Sequence, residues 1–350
     1  MTDTVSNRSE IVFITDAQDC NPNGNPLAEN NPRIDPVTGQ AAITDVRFKR
    51  YLRDQLHADG HPIFIKRSLD TSDAPTRAKL ALDTLGDITT PTDIEAIEDV
   101  TTTFLQNAVD VRYFGAMLNF HKQTDDALNE AIREHFPTHF TGPVQFSPAR
   151  SLNPVATTDA LSSLSSVIAS QEDKEQGVFG IDDTRIKYGI FPFHGLIDEN
   201  AAQNTNLSTT DVKRLDSLCW RAIKNQTLTR SKIGQQPRLY VRVEYATPGY
   251  HEGDLHTAFT IDAASSQPDA KLQSVRDICL DITPFISQLE HANERNHIEM
   301  VHIAGNDQLR LSINGEQIPA STLTAELTDR DIPVRKIAVF EESADTLPAN

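Results

Sequence analysis

The 350 residues are 38% hydrophobic and 23% charged, enough chain for a sizeable core in two domains or in one with a large insertion. The formal charge is −18, from 32 Asp, 18 Glu, 21 Arg and 11 Lys, an acid excess that normally repels phosphates. It also fits a salt-filled cytoplasm, where the Debye length is about 3 Å at 1 M salt, so local charge is the more informative quantity. No apolar stretch approaches the ~18 residues of a membrane span, and no charged-then-apolar leader is present, so neither a membrane role nor secretion is expected. Cys20, Cys219 and Cys279 lie far apart, make no disulfide framework or CxxC pair, and suit a reducing cytoplasm.

In chain order, Glu10–Asp16 (EIVFITD) predicts a strand, followed by the loop NPNGNPLAENNPRIDPVTG. Thr44 or Asp45 caps a predicted helix with Val46, Phe48, Tyr51, Leu52 and Leu56 on one stripe. Its flanks carry Arg47, Lys49, Arg50 and Arg53 with no acid among them. Pro62–Lys66 reads as a short strand. Residues 70–140 read as helical: Ala78–Leu85 ending at Gly86, Asp93–Asn107 with Ile94, Ile97, Phe104 and Leu105 inward, and Asp126–Phe136. From Leu80 to Val111 there are seven acids and no base, which suggests an inserted helical subdomain facing solvent.

Strands are expected at Pro143–Phe146 and Ile186–Ile197, around a Ser/Thr-rich stretch at 155–176 with little periodicity, a protruding loop. Ser208 and Asp211 form a capping box for a helix with Val212, Leu215, Leu218, Cys219 and Ile223 inward. Arg238–Tyr245 alternates as a strand. More strands are expected at 255–261, 297–304 and 335–340, with a hairpin at Asn314-Gly315 and a helix starting at Thr283-Pro284. The order of elements fits an α+β, split ferredoxin-like core of RNA-recognition-motif topology, interrupted by insertions.

The chemical motifs are mostly negative. His57/His61, His135/His139 and His297/His302 lack metal spacing, so no metal site is expected. There is no GxSxG, GxGxxG or GxxxxGK[ST], so neither nucleophilic catalysis nor a cofactor is expected. Asp182-Asp183 reads as a solvated pair of loop acids. RNA binding fits better. From Ser217 to Val243 there are six bases and no acid, and Arg230-Ser231-Lys232 leads through Gly234 into a strand, with Thr227 and Thr229 upstream. Guanidinium forks, an ammonium and hydroxyls are what a phosphodiester backbone accepts. Phe146, Tyr188, Phe191 and Phe193 are either stacking surfaces or core.

Five segments together, EIVFITDAQDCNPNGNP (10–26), RIDPVTGQAAITDVRFKRYLRD (33–54), GPVQFSPARSLNPV (142–155), GVFGIDDTRIKYGIFPFHGLIDENAA (177–202) and LTRSKIGQQPRLYVRVEY (228–245), resemble the backbone subunit of Cascade, the type I CRISPR interference complex, in its I-B branch. Asn25 departs from that pattern, which carries Asp there; the acidity departs too and points to a halophilic archaeon. The resemblance implies an RRM-like palm (8–56, 142–154 and 186–246), a helical finger (57–141), a thumb loop (155–185) and C-terminal strands and helix (247–350) completing the palm.

It further implies a non-catalytic subunit that polymerises along CRISPR RNA beside other Cascade subunits and presents the guide for pairing with target DNA. The implied guide contacts are Arg47, Lys49, Arg50, Arg53, Arg230 and Lys232, then Arg150, with Ser151 and Asn153 weaker. Arg238 and Arg242 are not assigned. The rival reading is a metal-dependent endoribonuclease, as in related backbone proteins of type III complexes, with Asp16, Asp19 and Asp35 as its candidate aspartates.

Overall fold

β-branched and aromatic residues make Ser9–Cys20 a single twelve-residue strand, β1, buried along most of its length. In the computed structural model, which describes residues 3–66, 77–86, 88–118, 126–158, 163–167, 177–181, 183–226 and 230–340, β1 is central to a seven-stranded sheet. It pairs antiparallel with β2 (Arg185–Ile197) on one side and β3 (Gln235–Tyr245) on the other. Val144–Phe146 pairs beyond β2, and β4 (Ile298–Gly305) beyond β3. Val334–Lys336 adds a parallel edge strand to β4, and Thr157–Thr158 pairs with β2.

Alternation along the strands divides the core in two. On one face Ile11, Phe13, Phe191 and Phe193 pack against two helices, α1 (Asp45–Ala58) and α2 (Thr209–Lys224). Phe48 of α1 stacks on Phe193 with centroids 4.5 Å apart. Thr44 caps α1 by accepting the Arg47 N–H, and Ser208 with Asp211 forms the capping box of α2. On the other face Val12, Ile14, Tyr188, Ile190, Val241 and Tyr245 meet a C-terminal layer: helix α3 (Thr283–Glu294) and the strands Thr260–Ile261, Cys279–Asp281, Arg310–Ile313 and Glu316–Pro319.

Both faces are therefore covered, and the stacking surface considered for Phe146, Tyr188, Phe191 and Phe193 is corrected to core: none is more than 6% exposed. Val46 is also corrected; it leaves the α1 stripe and is 70% exposed.

Residues 64–140 contain a third core around Phe64, Leu82, Ile94, Phe104, Ile132, Phe136 and Phe140. The single helix expected over 93–107 is two, Pro91–Glu95 and Val100–Asn107, because Asp99 caps the second by accepting the Thr102 N–H. The helix Val109–Phe114 carries no signal that set it apart in the sequence. Pro62–Lys66 is not a strand: the Phe64 and Ile65 N–H groups donate to the buried Asp110 carboxylate instead of to a strand partner. Asp110, one of the seven acids read as facing solvent, is fully buried.

Residues 255–261 begin as a short 3-10 helix, Leu255–Ala258, before their strand, and α3 begins with Thr283 inside the helix and Ile282 at its cap. Asn314 and Gly315 both take positive φ in the hairpin expected there. Of the 155–176 stretch, Ser163–Val167 forms an antiparallel ribbon with Gly177–Ile181; residues 159–162 and 168–176 lie outside the described residues, as do Asp182, Thr227 and Thr229.

Candidate nucleic-acid interface

Three segments remote in sequence meet at the end of β1. The Asn21–Asn25 turn follows that strand, the capped N-terminus of α1 lies next to it, and the 230–234 loop leads into β3. The Asn21 N–H donates to the Ser231 carbonyl at 2.8 Å, and Lys232 Nζ donates to the Asn21 carbonyl. Gly234 closes the loop at φ +123; a Cβ there would sit 2.2 Å from the Gln18 carbonyl oxygen, and its own carbonyl accepts the Gln18 N–H. The helix N-terminus adds partial positive charge to the same corner.

Arg230 is the most open base of this corner, its side chain 59% exposed while one nitrogen holds Asp183 at 3.0 Å. Asp183 also pairs with Arg185, the first residue of β2, whose other arm donates to the Asp19 carbonyl. The Arg185 hydrogen bond is the main cause holding the Asp183 carboxyl below its ordinary range. Asp183 thus positions two arginines and is not the solvated loop acid expected.

Arg47 is half-buried, its guanidinium 5.8 Å from the Tyr51 ring centroid, and the Tyr51 hydroxyl donates to the Pro22 carbonyl. Burial, reinforced by Arg47, lowers the Lys232 ammonium to about 8. Arg50 is held by Asp54 one turn along the helix at 2.8 Å. Arg150 is 61% exposed and reaches Asp35 at 3.2 Å.

Other candidates are engaged inside the fold. Arg53 lies against Asp110 at 2.9 Å and over the Phe114 ring. Lys49 Nζ donates to Gln145 Oε1 at 2.6 Å. Ser151 and Asn153 are buried: the Ser151 hydroxyl donates to the Asn153 carbonyl, and the Asn153 amide donates to Pro154 and Tyr188 carbonyls. Their donors are used, so the structure gives them the task of seating the strand that carries Arg150. Arg221, Arg238 and Arg242 are near-buried and paired with Asp59, Asp16 and Asp216. Those three pairs explain half of the acid-free basic window.

Sequence reading missed Arg185 and Asp183. The only signal was the position of Arg185 at the start of a strand, and its distance from Arg230 is not encoded by spacing.

The comparisons with known proteins agree on the family. The family model described as CRISPR-associated protein Cas7 matches residues 7–283. The chain belongs to the Cas7 family. A relative named CRISPR-associated protein Cas7 from Haloferax volcanii is 48% identical over 342 residues, spanning 97% of this chain and 98% of the relative. Among solved structures, a chain of a "CRISPR RNA-guided surveillance complex, pre-nicking" matches at TM-score 0.45 and 12% identity, covering 92% of this chain and all of that one. A "CRISPR RNA-guided surveillance complex" chain matches at TM-score 0.41 and 13% identity, covering 85% and 88%. Likeness at that level does not define the fold, which rests on the strand order given above. No helix among the described residues is long and apolar enough to cross a membrane.

Proposed function

We propose that this Cas7-family chain is a non-catalytic, guide-RNA-binding backbone subunit of a type I-B Cascade complex. In this reading, copies of it polymerise along CRISPR RNA with other Cascade subunits and hold the guide for pairing with target DNA. The observation that carries the reading is the convergence of Arg47, Arg230 and Lys232 with the α1 N-terminus at the end of β1, with the buried Arg185 behind them holding Asp183. Guanidinium and ammonium donors gathered at one corner fit phosphates and ignore base identity.

High salt weakens the counterion-release term. Bidentate arginine bonds and contacts between subunits then have to supply affinity, which suits the arginine bias. Leu27, Val37, Val46 and Ile233, all more than half exposed, stand on or beside the same loops, as a neighbour-facing surface would.

The strand order β3-β1-β2-(144–146), with α1 and α2 on one face, supports the RRM-like palm. The separate core over 64–140 supports the finger, and the 163–181 ribbon lies within the proposed thumb. The remaining boundaries, 8–56, 142–154, 186–246 and 247–350, follow from those assignments.

The state of two of the three candidate aspartates supports a non-catalytic reading over the nuclease, while the exposed Asp19 is left to the test below. Asp16 is 1% exposed, bonded to Arg238 and to the Tyr188 hydroxyl, and burial raises its pKa. Asp35 is tied up by the Val37 and Thr38 N–H groups and by Arg150. The test is the complex purified with its partners. Guide RNA per subunit falls in Arg47→Glu and Arg230→Glu, and cleavage of complementary RNA is absent with and without divalent metal. Undiminished guide on both variants contradicts the proposed contacts, and metal-dependent cleavage lost in Asp19→Ala or Asp35→Ala contradicts the non-catalytic reading.

A further inference from the structure

A group of metal-capable side chains lies on the sheet face that meets the C-terminal layer. His194 comes from β2, Asp254 sits at the N-cap of the 3-10 helix Leu255–Ala258, and His256 lies within that helix. One ligand atom from each lies within 4.8 Å of the others. The two imidazoles stack, with ring centroids 4.7 Å apart and planes at 22°. We propose that His194, Asp254 and His256 bind one divalent transition-metal ion of the zinc class, which fastens the 253–258 turn to β2.

The surroundings suit such an ion. His194 Nε2 lies 2.8 Å from Glu10 Oε1. Glu10 is fully buried and also accepts from the Tyr245 hydroxyl and the Gly253 and Leu255 N–H groups. The Glu10 carboxylate facing His194 Nε2 fixes the orientation of that ring beside Asp254 and His256. A carboxylate behind a metal-binding histidine is the usual supporting arrangement.

On His256, Nδ1 is buried without a hydrogen-bond partner, a state that a bound ligand relieves. Two imidazoles and one carboxylate are a zinc donor set with a position left open. The group borders a cleft lined by Ser147, Arg150, Leu152 and Thr257, so an ion can enter from solvent. Ligand atoms on a tetrahedral zinc at about 2.0–2.1 Å sit roughly 3.4 Å apart, so closure needs side-chain movement of about an ångström.

The full chain is stripped with a chelator and dialysed against micromolar Zn2+ in high-KCl buffer. Bound zinc is counted by mass spectrometry, and the unfolding midpoint is followed with and without zinc. The expected result is one zinc per chain and a midpoint raised by zinc. Both are lost in His256→Gln and in Asp254→Asn. The second variant keeps the fold because Asn tolerates the left-handed φ of +52 at that position. Zinc retained equally by both variants, or no zinc on a folded wild-type chain, overturns the site.

Discussion

α1 carries similar bases on two flanks, and the two flanks differ in what holds them. On one, Lys49 and Arg53 face the 144–146 strand of the main sheet and the helical segment, where Gln145 and the fully buried Asp110 take their donors. On the other, Arg47 lies over Tyr51 beside Lys232, with no ion pair to a buried acid among the described residues. Guanidinium chemistry is the same on both. The environment decides whether it stabilises the fold or stays available at the surface, because a buried carboxylate cannot be left unpaired at low cost.

The comparison breaks first at Arg53. Arg53→Gln leaves Asp110 buried with only the Phe64 and Ile65 N–H groups, and costs about 3 kcal/mol in denaturant unfolding at fixed high salt. A loss below about 1 kcal/mol would place Arg53 with the available bases.

Charge reversal on the other side gives the opposite pattern. Arg230→Glu lowers guide retention about tenfold, the worth of a charged hydrogen bond, and costs only about 1 kcal/mol of stability because Asp183 keeps its bond to Arg185. Gel-resolved guide per subunit alongside unfolding curves reads both.

Lys232 supplies a pH dependence. Its ammonium is charged below about 8 and neutral above. A phosphate beside it raises that value, so guide binding takes up a proton and weakens as pH rises from 7 to 9.5. Lys232→Arg flattens the profile; an unchanged slope would show that Lys232 does not meet the guide.

The smallest effect is expected at Lys49. Its sequence suggested guide contact, but its side chain is 14% exposed and bonded to Gln145. Lys49→Gln changes guide retention by no more than about twofold; a loss matching that of Arg230→Glu would erase the distinction between the flanks.

The strands and capped helices were legible in the sequence because period and cap chemistry are local. Thr44, Ser208 with Asp211, and Asn314-Gly315 act where spacing places them. The five quoted segments also carried the family, which the Cas7 model and the Haloferax volcanii relative show. What depends on tertiary pairing was not legible. Asp110 turned an expected strand at 62–66 into a loop by offering its carboxylate to backbone N–H groups. The α1–α2 face turned Phe146, Phe191 and Phe193 into core, and the C-terminal layer did the same for Tyr188. Asp183 joined Arg185 to Arg230 across 45 residues, and His194 met His256 across 62, distances that no motif spacing records.

The central claim is that these loops hold a CRISPR guide, and the most direct measurement is to sequence the RNA that comes with the protein. The chain is tagged in its host, purified in high salt, and the bound RNA extracted. The account predicts a discrete population of short RNAs sharing repeat-derived ends around variable inserts. A folded preparation carrying no RNA, or random fragments only, would contradict it.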